Sequence, residues 1–215
     1  MKVSLADTPN FCNRCRSVLR IVFNHALEWQ LVESNPVVWI MRHAEKKRSR
    51  YLTDDELAAI RTAAGPRLQI IIDLLYRTGQ RVSDVLRIRR ADLTDDGIQF
   101  AHDKTGIKLT VAWSPELRTA VERAKALYGN VAAFRLLRNR RGKALDYRSV
   151  QLRWQTACEA AGVKDAHLHD LRAKAPTDAN REGFDATALD GHSSARTTER
   201  YIRLRESPLV RGPSR

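Results

Sequence analysis

The chain has 215 residues, 43% of them hydrophobic, and a formal net charge of +13 at pH 7. That length holds one sizeable domain and part of another, and the basic excess favours a polyanionic partner, nucleic acid foremost, over a merely soluble basic protein. No apolar run approaches the roughly 20 residues of a membrane span, no signal-peptide core opens the chain, and the three cysteines are too few for a disulfide framework, so a reducing cytoplasm is expected.

Residues 9–32 read as a helix. Thr8 is placed to cap it, Pro9 suits its first position, and Val18, Leu19, Val22, Phe23, Ala26, Leu27 and Leu31 recur at helical spacing. Cys12-x-x-Cys15 lies inside that pattern. Two small apolar side chains on one helix face outweigh a zinc or redox reading, because no further ligand pair with its own spacing accompanies them. His167-x-His169 likewise lacks the acidic or cysteine neighbours of a metal site. Asn35-Pro36 ends the unit, and residues 37–41 add one short turn. Residues 42–50 carry Arg42, Lys46, Lys47, Arg48 and Arg50 against the single Glu45, a flexible cationic linker suited to phosphate contact.

Thr53 with Glu56 forms a capping box, and Asp54 and Asp55 suit the positive end of the helix dipole, opening a helix over 54–64. Pro66 opens the next helix, whose Leu68, Ile71, Ile72, Leu74 and Leu75 read as buried and which Gly79 stops. Another helix starts near Arg81. Val82, Val85 and Leu86 face the core, while Arg81 and Asp84, three apart, share a different face. Residues 97–112 alternate as a hairpin, with Ile98, Phe100, Leu109 and Val111 at β-prone positions and Lys104 beside the Thr105-Gly106 turn. Ser114-Pro115 caps a helix over 115–128. Residues 134–137 predict a short strand before the basic turn Arg138-Asn139-Arg140-Arg141-Gly142, which is expected to face nucleic acid. A helix over 147–161 is closed by Gly162. The last clear helix begins at His169, and Pro176 within it is expected to kink it. The fold class is mainly α with a small antiparallel β-sheet (α+β), without internal repeats.

The stretch 167–202 carries the chemistry. His169 and Arg172 are three apart and share a helix face, and Leu171 is placed to bury. An imidazole and a guanidinium together suit the oxygens of a phosphodiester. Gly191-His192 sits at a break between helical segments, and Tyr201 follows nine residues later. His-x-x-Arg, Gly-His and Tyr, preceded by Thr78-Gly79-Gln80-Arg81 with Asp84 and by Lys104-Thr105-Gly106, resemble in order the tyrosine recombinase (phage integrase) family over residues 51–203. Each motif alone is weak, and their order makes the match specific.

The resemblance implies a division into residues 1–41, the end of a helical core-binding domain; 42–50, a basic linker; 51–204, the catalytic domain; and 205–215, a tail that in relatives packs on a neighbouring protomer. It implies catalytic roles for Arg81, Asp84, Lys104, His169, Arg172, His192 and Tyr201, with Lys108 as an alternative to Lys104. Tyr201 would attack the scissile phosphorus to form a 3′-phosphotyrosyl link and free a 5′ hydroxyl. Arg81, Arg172 and His192 would offset charge on the phosphate oxygens, Asp84 would brace the site, Lys104 would protonate the leaving oxygen and His169 would assist proton transfer at the tyrosine. No metal or other cofactor is expected. The partner is double-stranded DNA, bound also by Arg42, Lys46, Lys47, Arg48, Arg50, Arg138, Arg140 and Arg141, with self-association on DNA (a tetramer in the family), in a bacterial or phage-encoded, nucleoid-associated setting. A prophage remnant that binds DNA without turnover, or type IB topoisomerase-like relaxation, are the alternatives. Asp190, ahead of the Gly-His, departs from the apolar or small residue common in relatives. Against the resemblance, the earlier helices of the core-binding domain are expected to be absent here, and blunted site specificity and self-association through Val18, Val22, Phe23 and Leu27 are expected to follow.

Overall fold

In a computed structural model the described residues are 8–45, 48, 50–101, 108–127 and 134–183, and the chain divides into two compact units, Met1–Arg48 and Ser49–Arg215. In the first unit, helix α1 spans Pro9–Glu28, with Pro9 in its opening turn. Thr8 makes no side-chain capping bond. The helix ends four residues before the expected 32. Gln30 takes a left-handed φ of 55°, its N–H reaches the Leu27 carbonyl and that of Leu31 the Ala26 carbonyl. This is the paired bonding of a Schellman stop, with Gln in the place glycine usually fills. Cys12 is buried but Cys15 is exposed, so the two thiols do not share one buried face.

The segment after α1 folds back along it. Buried Asn35 donates to Asn24 Oδ1 at 2.7 Å and to the Arg20 carbonyl at 3.1 Å, and a turn follows at residues 36–39. Asn13, also buried, donates to the His43 carbonyl at 2.9 Å and to Glu45 Oε1 at 2.6 Å, and accepts from His43 N–H at 2.9 Å. Residues 43–45 are thus tied to α1 rather than forming a free strap. Val18, Leu19, Ile21 and Val22 stay exposed.

In the second unit the Thr53 capping box is present: Thr53 Oγ1 accepts from Glu56 N–H at 3.2 Å and Glu56 Oε2 accepts from Thr53 N–H at 3.0 Å. It opens α2, Asp54–Ala63. Helix α3, Pro66–Thr78, buries Leu68, Ile70, Ile71, Ile72, Leu74, Leu75 and Thr78. Apolar nearly all round, it becomes the axis of the core, packed against α5 (Pro115–Ala126) and α7 (Leu168–Arg181). Helix α4, Val82–Arg87, follows directly. Strands β1, Gly97–Ala101, and β2, Lys108–Ala112, pair antiparallel with Ile98 opposite Val111 and Phe100 opposite Leu109. Helix α6, Tyr147–Ala160, buries Val150, Trp154, Ala157 and Cys158, and the Trp154 indole donates to the Ala166 carbonyl at 2.9 Å. The strand expected at 134–137 is reduced to a single bridge, Arg89 to Arg135. Pro176 lies inside α7, which continues through it to Arg181. Among the described residues no helix is long and apolar enough to cross a membrane.

Candidate active site and nucleic-acid interface

Three consecutive residues lead into Arg81. Thr78, at the end of α3, turns its hydroxyl back onto the Leu74 carbonyl at 2.7 Å. Gly79 then adopts φ 64°, ψ 6°, a left-handed conformation that costs other residues roughly 1–2 kcal/mol. Buried Gln80 donates through Nε2 to the Thr78 carbonyl at 3.1 Å. Arg81 becomes the N-cap of α4 with half its side chain in solvent, and its NH1 lies 3.7 Å from Asp84 Oδ2 on the next turn. Asp84 therefore orients a guanidinium that still reaches outward.

Arg172 arrives from α7. It is buried, and its NH1 donates to the Gly79 carbonyl at 2.9 Å. A residue from the far end of the domain thus docks on the turn that presents Arg81. Leu171 is fully buried beside it. Asp170, also buried, accepts from His167 N–H at 2.8 Å and so caps the helix. His169 is exposed at the start of α7, one turn before Arg172. Arg81 is paired with Asp84, and Arg172 is brought to the turn two residues before Arg81. Lys104, His192 and Tyr201 lie outside the described residues, as do Lys46, Lys47, Asp190 and the side chain of Lys108.

A buried ionic cluster, not anticipated from the sequence, anchors α7 to the elements around it. Lys174 is fully buried and donates to Asp178 Oδ2 at 2.8 Å, to Tyr51 Oη at 2.9 Å and to Asp54 Oδ1 at 2.5 Å. Asp178 also accepts from the Tyr51 and Tyr76 hydroxyls at 2.5 and 2.8 Å. Burial alone would push the ammonium pKa down, but the bonds to Asp178, Asp54 and Tyr51 outweigh it and hold the pKa above its ordinary value. The signal available in sequence was the Lys174–Asp178 spacing of four on a helix.

The basic residues divide. Arg50 is a clasp within the domain: it donates to Glu56 Oε1 at 2.7 Å, to the Asp165 carbonyl at 2.9 Å and to the Lys164 carbonyl at 3.1 Å. That bond to Arg50 leads the causes that lower the Glu56 pKa. Arg138 is buried, whereas Arg140 and Arg141 are exposed on the turn that Gly142 closes at φ 75°. Arg42 lies 3.4 Å from Glu45 and remains exposed, as does Arg48.

A model of the phage integrase family matches residues 50–207. Tyrosine recombinase XerC of Bacillus pumilus (strain SAFR-032) is 28% identical over 214 residues, spanning 90% of this chain and 70% of that one. The integrase of Escherichia phage HK022 is 36% identical over 99 residues, 45% of this chain and 28% of the phage protein. The backbone superposes on a lambda integrase (75–356) dimer bound to a COC′ core site with a TM-score of 0.78 at 24% identity, covering 91% of this chain and 75% of that one. For XerA recombinase the TM-score is 0.64 at 21% identity, covering 86% and 69%. The fold and the family match together define the class: tyrosine-type DNA breaking and rejoining recombinases. The chain belongs to the phage integrase family.

Proposed function

We propose that this chain cuts and rejoins duplex DNA at a specific site through a covalent link between Tyr201 and a 3′ phosphate. The observation that carries the reading is the Arg172 bond to the Gly79 carbonyl, which sets two arginines of the family pattern on one turn. Two guanidiniums so held can each fork onto non-bridging oxygens of one phosphodiester. Tyr201 Oη attacks phosphorus, the phosphorus–O5′ bond breaks, and Lys104 delivers the proton to the departing oxygen. His169 takes the tyrosine proton, and His192 adds a donor to the phosphoryl oxygens. The phosphotyrosine keeps the bond energy, so attack by another 5′ hydroxyl reverses the step without ATP.

Arg140 and Arg141, with Arg42, Lys46, Lys47 and Arg48, extend contact along the backbone of the duplex. The lambda integrase structures, a dimer on a COC′ core site and a tetramer on a Holliday junction, support assembly of several copies on DNA; the proposed setting is the nucleoid. Residues 1–41, 42–50, 51–204 and 205–215 serve as core-binding segment, basic linker, catalytic domain and interprotomer tail.

A nicked suicide duplex carrying the element's own site tests the reading. Wild type is expected to form a denaturant-resistant protein–DNA adduct, and Tyr201→Phe to form none while keeping duplex affinity. An adduct that survives Tyr201→Phe moves the nucleophile elsewhere, with Tyr147 at the exposed start of α6 the next candidate. Binding without any adduct from the wild type leaves a DNA-binding remnant.

A further inference from the structure

A groove of about 1090 Å³ lies at the end of α3 remote from Arg81. It is lined by Arg67 on the first turn of α3, by Arg140 and Arg141 on the basic turn, and by Ser149 and Arg153 on α6. No carboxylate lines it among the described residues. Four guanidiniums facing one hollow repel one another, and the arrangement is relieved when an anion enters. Half-buried Arg67 registers this: burial first, then the charges of Arg153 and Arg140, hold its pKa below the ordinary value. The groove borders the start of α3, with Gly65 as N-cap and Pro66 in its first turn, where the positive end of the helix dipole favours an anion.

We propose that this groove is a second phosphodiester site, gripping the backbone of the duplex that is cut beside Arg81. The inference rests on the DNA-recombinase reading above. Helix α3 has 13 residues, and at about 1.5 Å per residue its two ends are roughly 20 Å apart. A DNA strand advances about 3.4 Å per nucleotide, so the groove meets phosphates several nucleotides from the scissile one. Guanidinium forks match phosphate oxygens in geometry as well as charge. A second copy of this chain, at +13, is the wrong occupant for a cationic hollow.

The test is duplex affinity, read by fluorescence anisotropy across a salt series, for wild type, Arg153→Gln and Arg67→Gln/Arg153→Gln, alongside wild-type adduct formation on the nicked substrate. The slope of log affinity against log salt is expected to shrink by about 1 for each arginine removed, with an affinity loss of about eightfold per arginine at 0.1 M salt. Arg153 is exposed on α6, so its single variant carries the test if the double variant melts early. Slopes and affinities equal to wild type, in a wild type that binds and forms the adduct, overturn the groove and leave the recombinase reading standing. Capture of a poly-glutamate peptide lost in the variants, with DNA affinity unchanged, also overturns it by assigning the groove to a protein partner. A wild type that neither binds duplex nor forms an adduct removes the recombinase reading and the groove with it.

Discussion

Arg172 NH1 and the Gly79 carbonyl oxygen lie 2.9 Å apart across 93 positions of sequence. The left-handed turn that ends α3 is therefore both the bend that releases Arg81 and the acceptor that seats Arg172. The placement of both arginines and the end of α3 depend on the same few atoms.

Arg172→Lys keeps a charge but loses the planar fork, and Arg172→Ala loses both. Adduct formation is expected to fall by about 10²–10³ in Arg172→Ala, in line with loss of one transition-state donor. Stability is expected to fall by about 1.5–3 kcal/mol as the charged bond to Gly79 goes. Parallel urea titrations and suicide-substrate time courses separate the two effects. Arg172→Lys cleaving at the wild-type rate would show that the fork is not used.

Lys174→Met leaves Asp178 buried with two tyrosine hydroxyls and, at 3.6 Å, Arg181. Removing one partner of a buried pair costs about 3–5 kcal/mol. The lower end is expected here because Arg181 remains. Asp54 contributes little, since its side chain is 84% exposed and solvent screens it. Adding Asp178→Leu to Lys174→Met is expected to recover part of the loss, which a double-mutant cycle in urea reads directly. Additive losses would mean that the two side chains are not coupled.

Local signals were legible in the sequence and distant ones were not. Thr53 with Glu56 and the stop at Gly79 are settled by residues within a few positions of each other, and the structure has both. Arg81, Asp84 and Arg172 could be picked out by motif order, but not the carbonyl that joins them. The end of α1 was missed because Gln30 fills a place where only glycine gives a sequence signal. Arg50, Arg138 and Lys174 look like any other surface cation in a basic chain. Part of what engages them is more than 100 positions away, the Asp165 carbonyl for Arg50 and the Tyr51 hydroxyl for Lys174, and composition cannot report that. The pairing of residues 134–137 likewise depends on a partner at Arg89.

Gly97 opens β1 opposite Ala112, and a Cβ built there meets the Val111 carbonyl oxygen at 2.1 Å. Backbone atoms cannot swing aside as a flexible side chain would. Gly97→Ala is expected to destabilise the domain by about 1–3 kcal/mol, the usual range for overpacking. Chemical denaturation with an unchanged m-value checks it. A loss below the error of the extrapolation would show that the strand pair shifts freely.

The Lys174 cluster also fixes how stability responds to alkali. Tyr76 has its pKa raised above the ordinary 10.0, first by burial and then by its bond to Asp178. Tyr51 is raised for the same two reasons, and Lys174 is raised by the bonds already described. In all three the folded state holds the proton more tightly than the unfolded chain. Their contribution is therefore complete below the unfolded values, about 10 for tyrosine and 10.4 for lysine, and is lost as pH rises through the folded ones. The melting temperature is expected to fall from about pH 10 upward, and tyrosinate absorbance from Tyr51 and Tyr76 to appear at higher pH in the folded protein than in the unfolded chain. Replacing Tyr76 by Phe removes one raised group, so the variant starts less stable near neutrality and falls less steeply above pH 10. Equal alkaline slopes for wild type and Tyr76→Phe would show that the Tyr76 proton is not held by the fold.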